Sequence, residues 1–199
     1  MKKINEIFLS IQGEGCHTGV PSVFIRFSGC NLKCGFCDTS HNEGKWMSEE
    51  EICQTVKEMP AQQIVLTGGE PSLYIDSEFI KKLKEATGLK IAIETNGTNP
   101  LPDGIDWVTV SPKEGINMIG DASLKVKRAD ELKVIDLGQD LNPYFNYPCV
   151  DKATVMVLQP CFVDDPEECC RNIADTTSRV LSDPRWRLSL QTHKLAGFR

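Results

Sequence analysis

Apolar and polar positions change period repeatedly along the chain, and the changes predict alternating strands and helices. Ser22-Val23-Phe24-Ile25-Arg26-Phe27 is mostly β-branched and aromatic and stops at Ser28-Gly29, which predicts a strand. Ser48 with Glu51 three residues on is a capping box, and Ile52, Val56 and Met59 recur at helical spacing, so a helix is predicted from Ser48 to about Met59. Gln63 to Thr67 is a short apolar strand closed by Gly68-Gly69. Asp76 to Ala86 is predicted helical, with Phe79, Ile80 and Leu83 on one side and Gly88 past its end. Lys90 to Glu94 and Trp107 to Val110 are strands, ended by Asn96-Gly97 and Ser111-Pro112. Ala129 to about Ile135 is predicted as a short helix followed by a strand. Thr154 to Leu158 is a strand, Pro166 opens a helix that runs to about Leu181, and Arg187 to Leu190 closes the series.

Strands alternating with helices build right-handed βαβ units and a mainly parallel sheet. Polar or glycine-rich motifs follow the strands at Thr67, Glu94, Val110 and Leu158. In parallel α/β architectures that edge is where ligands bind. The 199 residues hold about six βα units, too few for an eight-fold barrel. The expected fold class is α/β, a partial (incomplete) TIM-like barrel of about six βα units with a mainly parallel sheet, in one domain over 1–199.

Composition narrows the function classes. With 22 basic and 28 acidic residues the net charge is −6, which disfavours non-specific nucleic-acid binding. No segment approaches the ~20 apolar residues of a membrane helix. Met1-Lys2-Lys3 is basic, but Asn5, Glu6, Ser10 and Gln12 interrupt any signal-peptide core, so a cytoplasmic location is expected. Nine cysteines then point away from a disulfide framework and toward metal binding or catalysis.

Three of them form a CxxxCxxC run, Cys30, Cys34 and Cys37, directly after a strand end. Thiolates select zinc, Cu(I) or iron–sulfur clusters. A structural zinc site wants four protein ligands, which Cys16, His17 or His41 could complete. A [4Fe–4S] cluster held by three cysteines leaves one iron open for a small molecule. Spacing alone leaves both open, beside three unrelated core cysteines. Cys16, Cys53, Cys149, Cys161, Cys169 and Cys170 form no second ferredoxin-type set, and Cys53 and Cys169 read as packing residues in helices.

CxxxCxxC with an aromatic residue before its last cysteine, together with Gly68-Gly69-Glu70-Pro71 after a strand, resembles the radical S-adenosylmethionine (SAM) enzymes. Further motifs follow in order: Ser10-Ile11-Gln12-Gly13-Glu14-Gly15, Cys37-Asp38-Thr39, Ile93-Glu94-Thr95-Asn96-Gly97-Thr98, Val110-Ser111-Pro112-Lys113, Leu158-Gln159-Pro160 and Gln191-Thr192-His193-Lys194. Within that superfamily the set is similar to the 7-carboxy-7-deazaguanine synthases, from about residue 5 to 195.

The resemblance implies a site. Cys30, Cys34 and Cys37 would bind three irons of a [4Fe–4S] cluster, and the fourth iron would chelate SAM. Phe36, Cys37, Asp38, Gly68, Gly69, Glu70, Glu94, Ser111, Pro112, Lys113 and Gln159 would bind the cofactor. Thr39 would bind Mg²⁺, a hard cation suited to an oxygen ligand. Ile11, Gln12, Gly13, Arg26, Thr67 and His193 would bind 6-carboxy-5,6,7,8-tetrahydropterin, with Arg26 meeting its carboxylate. No side chain is expected to act as acid or base, because a deoxyadenosyl radical from SAM abstracts the hydrogen and ring contraction with ammonia loss follows. The implied partners are a reducing electron donor such as flavodoxin and a second copy of the chain. Nucleic acid and membrane are not expected. Two other readings stand beside this one: a small radical SAM activase acting on a partner protein, which would not need Gln12, Thr39 or His193, and a zinc-stabilised binding module.

Overall fold

The computed structural model describes residues 1–37, 43–114 and 118–199. In chain order the elements are β1 (Lys2–Ile11), β2 (Pro21–Phe27), β3 (Lys33–Cys34), β4 (Lys45–Met47), α1 (Glu49–Lys57), β5 (Gln63–Gly68), α2 (Ser77–Thr87), β6 (Lys90–Thr95), β7 (Trp107–Val110), β8 (Met118–Ile119), β9 (Glu131–Asp136), β10 (Val155–Pro160), α3 (Pro166–Ser182), β11 (Arg187–Leu188) and α4 (Thr192–Ala196). Among the described residues one sheet has nine strands in the order β11-β10-β9-β7-β6-β5-β2-β1-β4. Within that sheet every pairing from β2 to β11 is parallel and β1 pairs antiparallel with both β2 and β4; β3 and β8 form a separate antiparallel pair. The sheet is therefore mainly parallel, as the alternation predicts, with an antiparallel margin.

Local chemistry explains most of the boundaries. Ser48 accepts from the Glu51 amide while Glu51 reaches back to Ser48, so both halves of the capping box form. Asp76 caps α2 through the Phe79 amide (2.8 Å). Asp165 caps α3 and Pro166 occupies its first turn. Ile52, Val56, Phe79, Ile80 and Leu83 face a sheet whose buried Val23, Ile25, Ile64, Leu66, Ile91 and Ile93 complete the core on that side. Phe8, Phe24, Val65 and Ala92 form a smaller cluster, with Phe8 and Phe24 stacked at 5.1 Å. Phe8 and Phe24 also belong to the cavity wall.

Four features depart from the sequence expectation. The short helix expected from Ala129 to about Ile135 is instead β9, paired in parallel with β7 and β10. Its charged Glu131 and Lys133 alternate with apolar Leu132 and Val134, and all four are buried. Two charges in a strand ordinarily mark a solvent face, but here both find partners inside. The N-terminal strand β1 was not expected; a register shift between Ile4 and Glu6 breaks its period of two. After β6, β7 and β9 no α-helix intervenes among the described residues, so loops replace some of the expected crossover helices. The close of the series is also shorter, Arg187–Leu188 rather than Arg187 to Leu190.

Candidate active site

The motifs after the strands meet around one cavity of about 550 Å³. Cys30, Cys34, Phe36 and Cys37 line it from the loop after β2. Gly68 and Gly69 line it from the end of β5, and Ser111 and Lys113 from the end of β7. Gln159 closes it from β10. Ile11, Gln12, Gly13, Arg26, Thr67, Glu94 and His193 complete the wall. These expected site residues, far apart in sequence, thus share one space.

The sulfur side is held by backbone. The Gly69 amide donates to the Phe27 carbonyl (3.0 Å) and the Glu70 amide to the Gly29 carbonyl (2.9 Å), which ties the end of β5 to the residue before Cys30. A Cβ at Gly69 would lie 2.0 Å from the Gly29 oxygen, so only glycine allows this approach. The Cys30 sulfur accepts from the Leu32 amide (3.4 Å) and from Asn96 Nδ2 (3.9 Å). Burial pushes the Cys30 and Cys34 thiols up from their ordinary value, and neighbouring cysteine thiolates add to it, while Lys113 opposes it at Cys34. Such a set becomes thiolate when a metal takes up the charge. Lys113 donates to Ser111 Oγ (2.6 Å) and stands 5.7 Å over the Phe36 ring; burial of its ammonium pushes it down to about 8.

Among the described residues no three His, Cys, Asp or Glu side chains converge on a single-ion site. A cluster sets each thiolate on a different iron, so three thiols around one cavity with amide donors on the sulfur fit that group. Cys161 also lines the cavity, from the end of β10, and sequence spacing gave no sign of it.

Two expected cofactor contacts are placed elsewhere. Glu70 is fully buried and does not line the cavity. Its carboxylate accepts from Thr95 Oγ1 (2.6 Å), the Asn96 amide (2.7 Å) and the Ser72 amide (3.0 Å), so it braces the glycine turn against the end of β6. Pro112 is buried and also off the cavity. Asp38 and Thr39, expected at the cofactor and at Mg²⁺, lie outside the described residues, as does His41.

The opposite side is a polar wall. Glu94 accepts from Gln12 Nε2 (3.1 Å), Thr67 Oγ1 (2.8 Å) and Lys133 Nζ (3.4 Å). Lys133 also pairs with Glu14, which accepts from Gln191 Nε2 (2.7 Å). Burial works against both charges, but their attraction outweighs it: Lys133 is held above the ordinary lysine range and Glu14 below the carboxylate one. Thr192 donates its amide (2.9 Å) and hydroxyl (3.0 Å) to the Gly13 carbonyl, pinning the C-terminal segment to the Gln12-Gly13-Glu14 turn. A Cβ at Gly13 would lie 2.2 Å from His193 Nδ1, so glycine there makes room for the imidazole. Arg26 pairs through Nε with Glu6 (2.9 Å), and Arg199 pairs with the same carboxylate over the Phe8 ring. Glu14 and Gln191 fall inside sequence motifs that imply no role for them, and Lys133 falls where the sequence predicts a helix.

A three-thiol loop beside a double-glycine strand end in a mainly parallel half-barrel defines a radical SAM protein, and a family model of the Radical SAM superfamily matches residues 24–120. Such enzymes carry a [4Fe–4S] cluster and SAM. The chain is 53% identical over 199 residues to a 7-carboxy-7-deazaguanine synthase of Bacteroides thetaiotaomicron, covering 100% of both chains. It is 36% identical to one of Neisseria meningitidis, covering 99% of each. The crystal structure of QueE from Escherichia coli superposes with a TM-score of 0.76 at 30% identity, over 95% of this chain and 93% of that one. The chain belongs to the 7-carboxy-7-deazaguanine synthase family.

Proposed function

We propose that the chain is a radical SAM lyase that converts 6-carboxy-5,6,7,8-tetrahydropterin to 7-carboxy-7-deazaguanine with release of ammonia, in the formation of queuosine and other 7-deazapurines. The observation that carries this reading is that the three-thiol loop and the Gln12–Glu94–Lys133–Glu14–Gln191 wall face one cavity. The first suits a redox cofactor; the second suits a heterocycle with several N–H donors.

In this reading Cys30, Cys34 and Cys37 hold the cluster, and Gly68, Gly69, Phe36, Ser111, Lys113 and Gln159 hold SAM. When bound, the cluster and SAM supply the one-electron chemistry that removes hydrogen from the substrate. The protein positions, neutralises and excludes water. Arg26 carries a guanidinium on the cavity wall to meet the pterin carboxylate, sharing it with Glu6. Gln12, Thr67 and Glu94 are already joined by hydrogen bonds and present a fixed acceptor and donor pattern. His193 adds a hydrogen-bonding ring whose seat is set by Gly13. Mg²⁺ on Thr39 would hold the substrate carboxylate, and its charge would steer the rearrangement.

Residues 1–199 form one radical SAM domain, because β9, β10 and β11 extend the same sheet as the part that matches the superfamily, and Lys133, Ile135 and Gln159 of β9 and β10 line the same cavity. The proposed partners are a low-potential electron carrier such as flavodoxin and a second copy of the chain. The proposed location is the cytoplasm; among the described residues no helix is long and apolar enough to cross a membrane. The test is anaerobic turnover of reduced, reconstituted protein with SAM, Mg²⁺ and the carboxytetrahydropterin. The expected result is 7-carboxy-7-deazaguanine with one ammonia per product. SAM consumption with the pterin recovered unchanged would refute it.

A further inference from the structure

We propose that Lys133 is a positioning residue for the heterocyclic substrate: its ammonium stands between Glu14 and Glu94 and lets two carboxylates face one cavity as ionised acceptors. The inference deepens the proposed function and rests on it for the identity of the substrate.

Lys133 reaches into the cavity wall from β9 with its side chain 8% exposed, and the Glu14 and Glu94 side chains are 14% and 24% exposed. Two carboxylates this enclosed would repel if no cation stood between them, and Lys133 holds Glu14 ionised against its burial. Ionisation decides what they recognise. An ionised carboxylate only accepts and offers about four lone-pair directions. Glu94 uses three partners, Gln12, Thr67 and Lys133. Glu14 accepts from Lys133 and Gln191. Acceptor capacity is left on both for the ring amide and exocyclic amine of a pterin, which present donors side by side. A protonated glutamic acid would turn an O–H donor against those donors.

Among the described residues, other charged groups acting on this centre are Glu131 on the same strand, Lys113 from the end of β7 and His193 from the C-terminal segment. Two of them are engaged elsewhere: Glu131 by Thr109 Oγ1 (3.2 Å) and the Cys16 amide (2.6 Å), and Lys113 by Ser111.

The experiment compares reconstituted wild type with Lys133→Met and Lys133→Arg. It reads iron content, kcat and KM for the carboxytetrahydropterin over a range of pH, and inhibition by 6-carboxypterin. Lys133→Met is expected to keep its iron, to raise KM about ten- to a hundredfold with a smaller change in kcat, and to weaken 6-carboxypterin in parallel. Its kcat/KM is expected to follow a pH profile different from the wild type's, because Glu14 loses the cation that holds it ionised. Lys133→Arg keeps a cation and is expected to recover most of KM and the wild-type profile. Unchanged KM and profile in Lys133→Met would overturn the proposal, as would equal losses of iron and kcat in both variants. Should Lys133→Met fail to fold, the double variant Lys133→Met/Glu14→Gln removes the charge conflict. It is expected to fold and still bind 6-carboxypterin weakly, and wild-type binding there would overturn the proposal. Failure of the wild type to make the deazaguanine would instead strike the functional reading, with 6-carboxypterin binding still reporting on Lys133.

Discussion

The two sides of the cavity are built in opposite ways. The sulfur side is local: its three thiols lie within eight residues of one another, and backbone bonds to the Gly68-Gly69 turn fix their loop. The polar side is assembled by the fold, from the turn after β1, from β6 and β9, and from the segment before α4. Radical-generating chemistry requires a fixed cofactor cradle, which a contiguous motif can supply. Recognition of a particular heterocycle requires charges and amides at separated points, which only tertiary structure brings together.

The largest effect expected from this contrast is at the thiols. Alanine at Cys30, Cys34 or Cys37 should abolish cluster retention and turnover, whereas Cys161→Ala should keep both, as read by iron content and product yield. Equal iron loss in Cys161→Ala would show the cavity's fourth cysteine to be a ligand. Next is Gly69→Ala, whose new methyl meets the Gly29 carbonyl. A destabilisation of about 1–3 kcal/mol with weakened SAM binding is expected, measured by denaturant unfolding and SAM titration. Gly13→Ala should act on the other side alone: it displaces the His193 ring and raises the substrate KM about tenfold, with iron content and SAM binding intact. Loss of SAM binding in Gly13→Ala would erase the distinction between the two sides.

That contrast also decides what the sequence made legible. The cluster loop, the glycine turn and the strand ends were readable because their chemistry is contiguous and glycine is needed where backbones touch. Glu70 shows the limit: its motif suggested a cofactor contact, whereas its carboxylate accepts from Thr95, Asn96 and Ser72 behind the glycine turn. Lys133 shows it from the other side. A buried lysine in a strand is a local contradiction, resolved only by glutamates 119 and 39 positions away. The alternation of Glu131 and Lys133 with Leu132 and Val134 was the available signal for β9, and Glu14 and Gln191 were visible only as members of motifs.

The smallest effect is electrostatic. Glu14 sits below its ordinary value of 4.5 because Lys133 outweighs the burial that would raise it. A carboxylate held lower in the folded state adds stability above its unfolded pKa, and that stability is lost as pH falls through the folded one. Wild-type unfolding free energy should therefore fall more steeply below about pH 4.5 than that of Glu14→Gln. Parallel acid profiles would remove the coupling.

The most direct test of the account is a crystal structure of the holoenzyme with SAM and 6-carboxypterin. The account predicts three protein thiolates on the cluster, from Cys30, Cys34 and Cys37, SAM on the remaining iron, and the pterin's N–H edge against Glu14 and Glu94. A fourth protein ligand on that iron, or the pterin bound away from the two glutamates, would contradict it.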